Sequence, residues 1–138
     1  MSNITYNVLL IEDEQYKGDH MKKALANNGI TNITHKENAA DALRYLIDDN
    51  NPKPDFIILD MQFPMHEGDG PDKRCGLFVL EELERLEYNI PVIMCSFSRY
   101  EIPKHLTNVI GYILFDYCRD FTPTITAYLE KIKEIKTA

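Results

Sequence analysis

Asp55-Phe56-Ile57-Ile58-Leu59-Asp60-Met61 decides the fold. Its apolar residues run unbroken between two acids, with no alternation of inward and outward positions. A run of that kind suits a strand covered on both faces, as in a parallel sheet between layers of helices. Val8-Leu9-Leu10-Ile11 repeats the pattern and ends in Glu12-Asp13-Glu14. Ile90 to Cys95 repeats it again and leads into Ser96-Phe97-Ser98. Ile30 to His35 and Val109 to Phe115 read as two further strands.

Helical spacing fills the intervals. Met21, Ala24 and Leu25 recur on one face, and Asn27-Asn28-Gly29 supplies a stop. Asn38 can cap a helix carrying Ala39, Ala42, Leu43, Leu46 and Ile47. Leu77, Leu80, Leu83 and Leu86 form one side of a third helix, with Glu81 and Arg85 spaced as an i,i+4 pair. Pro103 limits any helix within Arg99–Leu106 to a turn or two. Thr122-Pro123 reads as a cap followed by proline at the first helical position, ahead of a core stripe of Ile125, Tyr128, Leu129, Ile132 and Ile135. Met61 to Cys75 is rich in Gly, Pro and Asp, shows no period and reads as a long loop. Five strands alternating with helical segments predict a three-layer α/β domain with a parallel sheet.

Composition narrows the function. The chain has 138 residues, 44% hydrophobic and 27% charged, which suits one globular domain spanning 1–138 with no attached output domain. Its 15 basic and 22 acidic residues give a net charge of −7. That balance argues against a nucleic-acid or anionic-membrane binder, which needs clustered Lys and Arg. Cys75, Cys95 and Cys118 form no disulfide framework and suit a reducing cytoplasm. The apolar runs are far shorter than the roughly 20 residues of a membrane helix.

In open parallel sheets, sites form beyond the carboxyl ends of the strands. Glu12 and Asp13 follow strand one, Asp60 follows strand three, and Ser96 follows strand four. A polar strand end facing solvent explains any one of these. An acid pair, a lone acid and a hydroxyl at three strand ends are harder to explain so. Converging carboxylates raise one another's pKa unless a cation intervenes, and a hard ion such as Mg²⁺ answers that need. One carboxylate can then attack a phosphoryl group, with Ser96 donating a hydrogen bond to it.

Taken in order, these segments resemble the response-regulator receiver domain of two-component signalling. The similarity covers Val8 to Glu14, Asp55 to Met61 with Phe63-Pro64-Met65, Gly76-Leu77, Ile90 to Ser96, and Gly111-Tyr112-Ile113-Leu114. It implies a flavodoxin-like sandwich with strand order 2-1-3-4-5. It further implies Asp60 as phosphoacceptor, Asp13 as direct Mg²⁺ ligand, Glu12 as an outer partner of the metal and the Gln62 backbone carbonyl as a further ligand. Ser96 would be the switch hydroxyl and Tyr112 a candidate switch aromatic. The implied partners are a sensor histidine kinase or phosphotransfer protein and a downstream protein, with no nucleic acid and no membrane. Such a domain is a signalling acceptor rather than an enzyme acting on a metabolite.

The pattern departs from the family in places that matter. Receivers carry a lysine, usually followed by proline, at the end of strand five, and this chain has Phe115-Asp116. Arg74 and Arg119, in loops, are candidate replacements, though each reads more simply as a surface arginine. Phe97 stands where a small residue is usual. His66 to Cys75 is inserted beside the acceptor, and a solvated loop explains His66 and Cys75 better than a metal pair does. His20, His35 and His105 read as surface or strand-edge residues. These departures support an alternative, a pseudo-receiver acting as a phosphorylation-independent interaction module. An aspartate-based phosphatase is disfavoured because Gln62 stands where its general acid would be. Flavodoxin is disfavoured because Glu12-Asp13-Glu14 would repel a flavin phosphate.

Overall fold

The unbroken apolar runs become the centre of the sheet, as their lack of alternation requires. The structure, a computed structural model, describes residues 5–137, so residues 1–4 and 138 of the expected domain lie outside it. The elements are β1 (Asn7–Ile11), α1 (Gln15–Ala26), β2 (Asn32–Lys36), α2 (Ala39–Ile47), β3 (Phe56–Leu59), α3 (Cys75–Arg85), β4 (Val92–Ser96), β5 (Val109–Leu114) and α4 (Thr122–Thr137). All strand pairs are parallel, in the order β2-β1-β3-β4-β5. This is the flavodoxin-like order that the receiver resemblance implies.

Alternate residues of each central strand face opposite helical layers. Leu9, Ile57 and Met94 pack on the side of α2 and α3 with Leu46, Val79 and Leu83. Leu10, Ile58 and Ile93 pack on the side of α1 and α4 with Met21, Leu25, Ile125 and Ile132. Each fully buried side chain of this size stabilises the fold by about 1.5–3 kcal/mol.

Local signals set the helix ends. The Asn38 side chain accepts a hydrogen bond from the Asp41 N–H at 2.8 Å, as expected of an N-cap. Gly29 takes φ +80° after α1, a conformation that favours glycine. Register carries these elements to the site: Ile11 pairs with Leu59, so Glu12 and Asp60 leave adjacent strands side by side. Leu59 pairs in turn with Met94, which brings the end of β4 to the same edge.

Several expectations need correction. No helix forms between β4 and β5: residues 97–108 are an irregular connection. Pro103 has no N–H to give a helix, and the Tyr100 N–H is taken by the Tyr112 hydroxyl at 3.0 Å. Arg85 pairs with Glu82 at 2.8 Å rather than with Glu81, since i,i+3 neighbours also share a helix face. Thr122 is the first helical residue rather than the cap, and Asp120 accepts from its N–H at 2.9 Å. Ile47 and Ile135 lie on exposed helix ends outside the core.

Candidate functional site

Glu12, Asp13 and Asp60 each place a carboxylate oxygen within 4.8 Å of the others'. They line a cleft of about 490 Å³ that Gln62, Ser96 and Phe97 also border. Glu12, Asp60 and Ser96 are buried, Asp13 is half-buried and Gln62 is exposed. Among the described residues this is the one cluster of three or more acidic, cysteine or histidine ligands close enough to hold a metal. The three strand ends therefore converge as expected.

The sequence reading missed the cation at their centre. Lys17, on α1, is fully buried, with Nζ 2.8 Å from Glu12 Oε1 and 3.1 Å from Asp60 Oδ2. Nζ also donates to the Cys95 carbonyl at 3.1 Å. The remaining carboxylate oxygens are held locally: Asp60 Oδ1 accepts from the Met61 N–H at 2.7 Å, and Glu12 Oε2 from the Glu14 N–H at 3.2 Å. One signal was available, because Lys17 extends the Met21, Ala24, Leu25 stripe back by one helical turn. A lysine on a core-facing stripe needs a buried partner.

Ser96 and Tyr112 meet. Their hydroxyls lie 2.6 Å apart, and the Tyr112 hydroxyl also donates to the Ser98 carbonyl at 2.9 Å.

The sequence profile described as the response regulator receiver domain matches residues 8–111, most of the chain. The chain belongs to this family. No curated protein matches it significantly. Among solved structures it is similar to a phosphorylated cyanobacterial phytochrome response regulator, RcpA, with 23% identity, 93% of each chain covered and a TM-score of 0.70. It is similar to the receiver domain of a LuxO repressor protein from Vibrio parahaemolyticus, with 19% identity, 97% of each chain covered and a TM-score of 0.69. It is also similar to the response regulator TrrA from Thermotoga maritima, solved with Mg²⁺-BeF, with 19% identity, 93% and 99% coverage and a TM-score of 0.65.

In this receiver, the β5 lysine position is filled by an aromatic cluster. The buried Phe115 ring meets Phe97 at 5.3 Å, Tyr117 at 4.9 Å, His20 at 5.2 Å and Phe121 at 5.5 Å between centroids. Lys17 Nζ lies 5.2 Å from the Phe97 centroid and 5.7 Å from that of Phe115. Phe97 is half exposed, so it covers the lysine without sealing the cleft.

Neither arginine candidate is bound to the acids: Arg74 pairs with Asp72 at 3.1 Å, and Arg119 lies over Phe121. His66 pairs with Asp69 in the insertion, whereas Cys75 is buried at the start of α3. Two further histidines have partners: His35 donates to the Glu12 carbonyl and His20 to the Arg119 carbonyl, each at 2.7 Å.

The donor set fits a hard divalent ion, since clustered carboxylates are the ligands such ions prefer. Burial, opposed by Lys17 and reinforced by the Asp60 charge, pushes Glu12 up to about 8. Burial also raises Asp13, with Asp60 contributing. Burial works against the Lys17 charge, but Glu12 and Asp60 outweigh it and leave Lys17 raised.

A carboxyl group raised on folding retains a proton that the unfolded chain has lost. Its contribution is present below about pH 4.5 and is lost as pH rises through about 8. Metal-free wild type should therefore lose stability between pH 6 and 8, at no more than about 1.4 kcal/mol per pH unit for this proton. Urea titrations should show the slope reduced in Glu12→Gln; equal slopes would remove Glu12 as its source.

Proposed function

We propose that this receiver accepts a phosphoryl group on Asp60 and signals through changed protein–protein contacts. The donor is a histidine of a sensor kinase or phosphotransfer protein, the reaction depends on Mg²⁺, and the setting is the cytoplasm. The observation that carries the reading is the Asp60 carboxylate at a cleft shared with Glu12, Asp13 and Ser96. Similar structures solved with a phosphoryl group, with Mg²⁺-BeF and with Mn²⁺ support it.

An Asp60 carboxylate oxygen attacks phosphorus, the bond from phosphorus to the donor breaks, and the donor leaves with the electron pair. The product is an aspartyl phosphate. Glu12, Asp13, Asp60 and the Gln62 carbonyl would hold the metal, which when bound neutralises charge on the transferring phosphoryl oxygens. Ser96 would donate its hydroxyl proton to a phosphoryl oxygen, giving up an existing contact with Tyr112 or the Ser98 carbonyl.

Intact mass after incubation with acetyl phosphate and Mg²⁺ tests the reading. Wild type should gain one phosphoryl group, while Asp60→Ala and the metal-free sample should not. A gain that survives in Asp60→Ala, or no gain from either acetyl phosphate or a phosphorylated donor histidine, would overturn it. Phe115 at the β5 lysine position and the Lys17 ion pairs favour the pseudo-receiver as the second reading. That reading expects no phosphoryl gain and no saturable change in tyrosine fluorescence at millimolar Mg²⁺.

A further inference from the structure

Transfer to Asp60 would bring phosphoryl oxygens into a cleft already lined by Glu12, Asp13 and Glu14. Such a site needs a fixed positive charge as well as a diffusible one, and β5 offers none, because Phe115 fills that position. Lys17 meets the requirement from another element. Its ammonium is 3.1 Å from Asp60 Oδ2 and is oriented by Glu12 Oε1 and the Cys95 carbonyl. The Phe97 and Phe115 rings flank it, so the aromatic that replaces the β5 lysine packs beside the lysine that enters from α1.

We infer that Lys17 supplies, from α1, the phosphoryl-site cation that other receivers supply from β5. This rests on the reading of Asp60 as phosphoacceptor. Lys17 contacts the acceptor carboxylate on the oxygen that the Met61 N–H does not hold, so the two oxygens are distinguished before any donor arrives. As the Asp60 oxygen bonds to phosphorus and the donor departs with its electron pair, the carboxylate loses charge. The ammonium is then available to the phosphoryl oxygens, and no proton need move in the step. A cation held this way is preorganised for charge that develops in the transition state.

The test uses acetyl phosphate and Mg²⁺ at pH 7, with uptake followed by intact mass and folding checked by circular dichroism. Lys17→Met should take up phosphoryl groups at least about tenfold more slowly than wild type. Lys17→Met combined with Phe115→Lys should regain most of the rate, a rescue that a merely structural lysine would not allow. Phe115→Lys alone leaves the Lys17 ion pairs in place and should change the rate by less than about threefold, since the cation is already supplied.

Folded Lys17→Met with an unchanged rate would overturn the inference and leave the reading of Asp60 intact. So would a tenfold or greater gain in Phe115→Lys alone, and this comparison holds even where Lys17→Met does not fold. No uptake by wild type or by Phe115→Lys, from acetyl phosphate or from a phosphorylated donor histidine, would overturn the phosphoacceptor reading and the inference with it.

Discussion

In metal-free buffer at pH 8, Lys17→Met should lower the unfolding free energy by about 3–5 kcal/mol. The ammonium is what allows two carboxylates to leave adjacent strands into the protein interior. Its removal leaves Glu12 and Asp60 close together, with one oxygen of each deprived of its charged partner. The penalty comes from breaking the pair, since intact buried ion pairs contribute little net stability over apolar packing. Adding Glu12→Gln to Lys17→Met should shrink the loss, because a neutral amide then stands where an acid has lost its partner. Urea unfolding of the variants is the measurement, and a loss below about 1 kcal/mol at pH 8 would show that water reaches and solvates the acids.

Gly76→Ala should cost about 3 kcal/mol and slow phosphoryl uptake, although the substitution adds only one methyl group. A Cβ at this position would lie 2.6 Å from Met61 Cα and 2.7 Å from the Asp60 carbonyl oxygen. Both atoms are backbone, so α3 would have to withdraw from the end of β3. That withdrawal would also break the Gly76 N–H bond to the Met61 carbonyl, 2.9 Å in the native chain. Gly111→Ala is the informative contrast. Its Cβ would meet the Tyr128 ring at 2.1 Å, a worse overlap on paper, but that ring belongs to a half-buried side chain that can rotate. A smaller loss, about 1 kcal/mol, is expected there. If the two alanines cost the same in thermal or urea unfolding, backbone contact is not what requires glycine at 76.

The sheet was legible because its signal is local. A buried parallel strand must be apolar throughout, and Val8–Ile11, Phe56–Leu59 and Val92–Cys95 are. The acids that terminate those runs were legible for the same reason. Lys17 was not, because its partners lie on β1 and β3 and the Cys95 carbonyl is 78 positions away. Arg74 and Arg119, the loop arginines that could stand in for the β5 lysine, bind elsewhere. The cation comes instead from α1, where only its place one turn before Met21 on the core stripe marks Lys17 off from the solvent-facing polar residues. The missing helix between β4 and β5 was half legible: Pro103 gave the warning, but the Tyr112 hydroxyl that holds Tyr100 lies on another strand.

The Ser96, Tyr112 and Ser98 contacts can be read as a proton inventory. Ser96 Oγ, the Tyr112 hydroxyl and the Ser98 carbonyl are mutually within hydrogen-bonding reach, which makes three contacts. Two hydroxyls bring only two protons, and the carbonyl brings none. The triangle is thus one proton short at rest, and the protons can be arranged among its sides in more than one way. Any acceptor in the cleft that claims the Ser96 proton leaves one hydroxyl proton in the triangle, while the Tyr100 N–H continues to donate to the Tyr112 oxygen. The Tyr112 hydroxyl can then donate to the serine or to the loop carbonyl, which ties the placement of the Ser96 proton to a contact with residues 97–108.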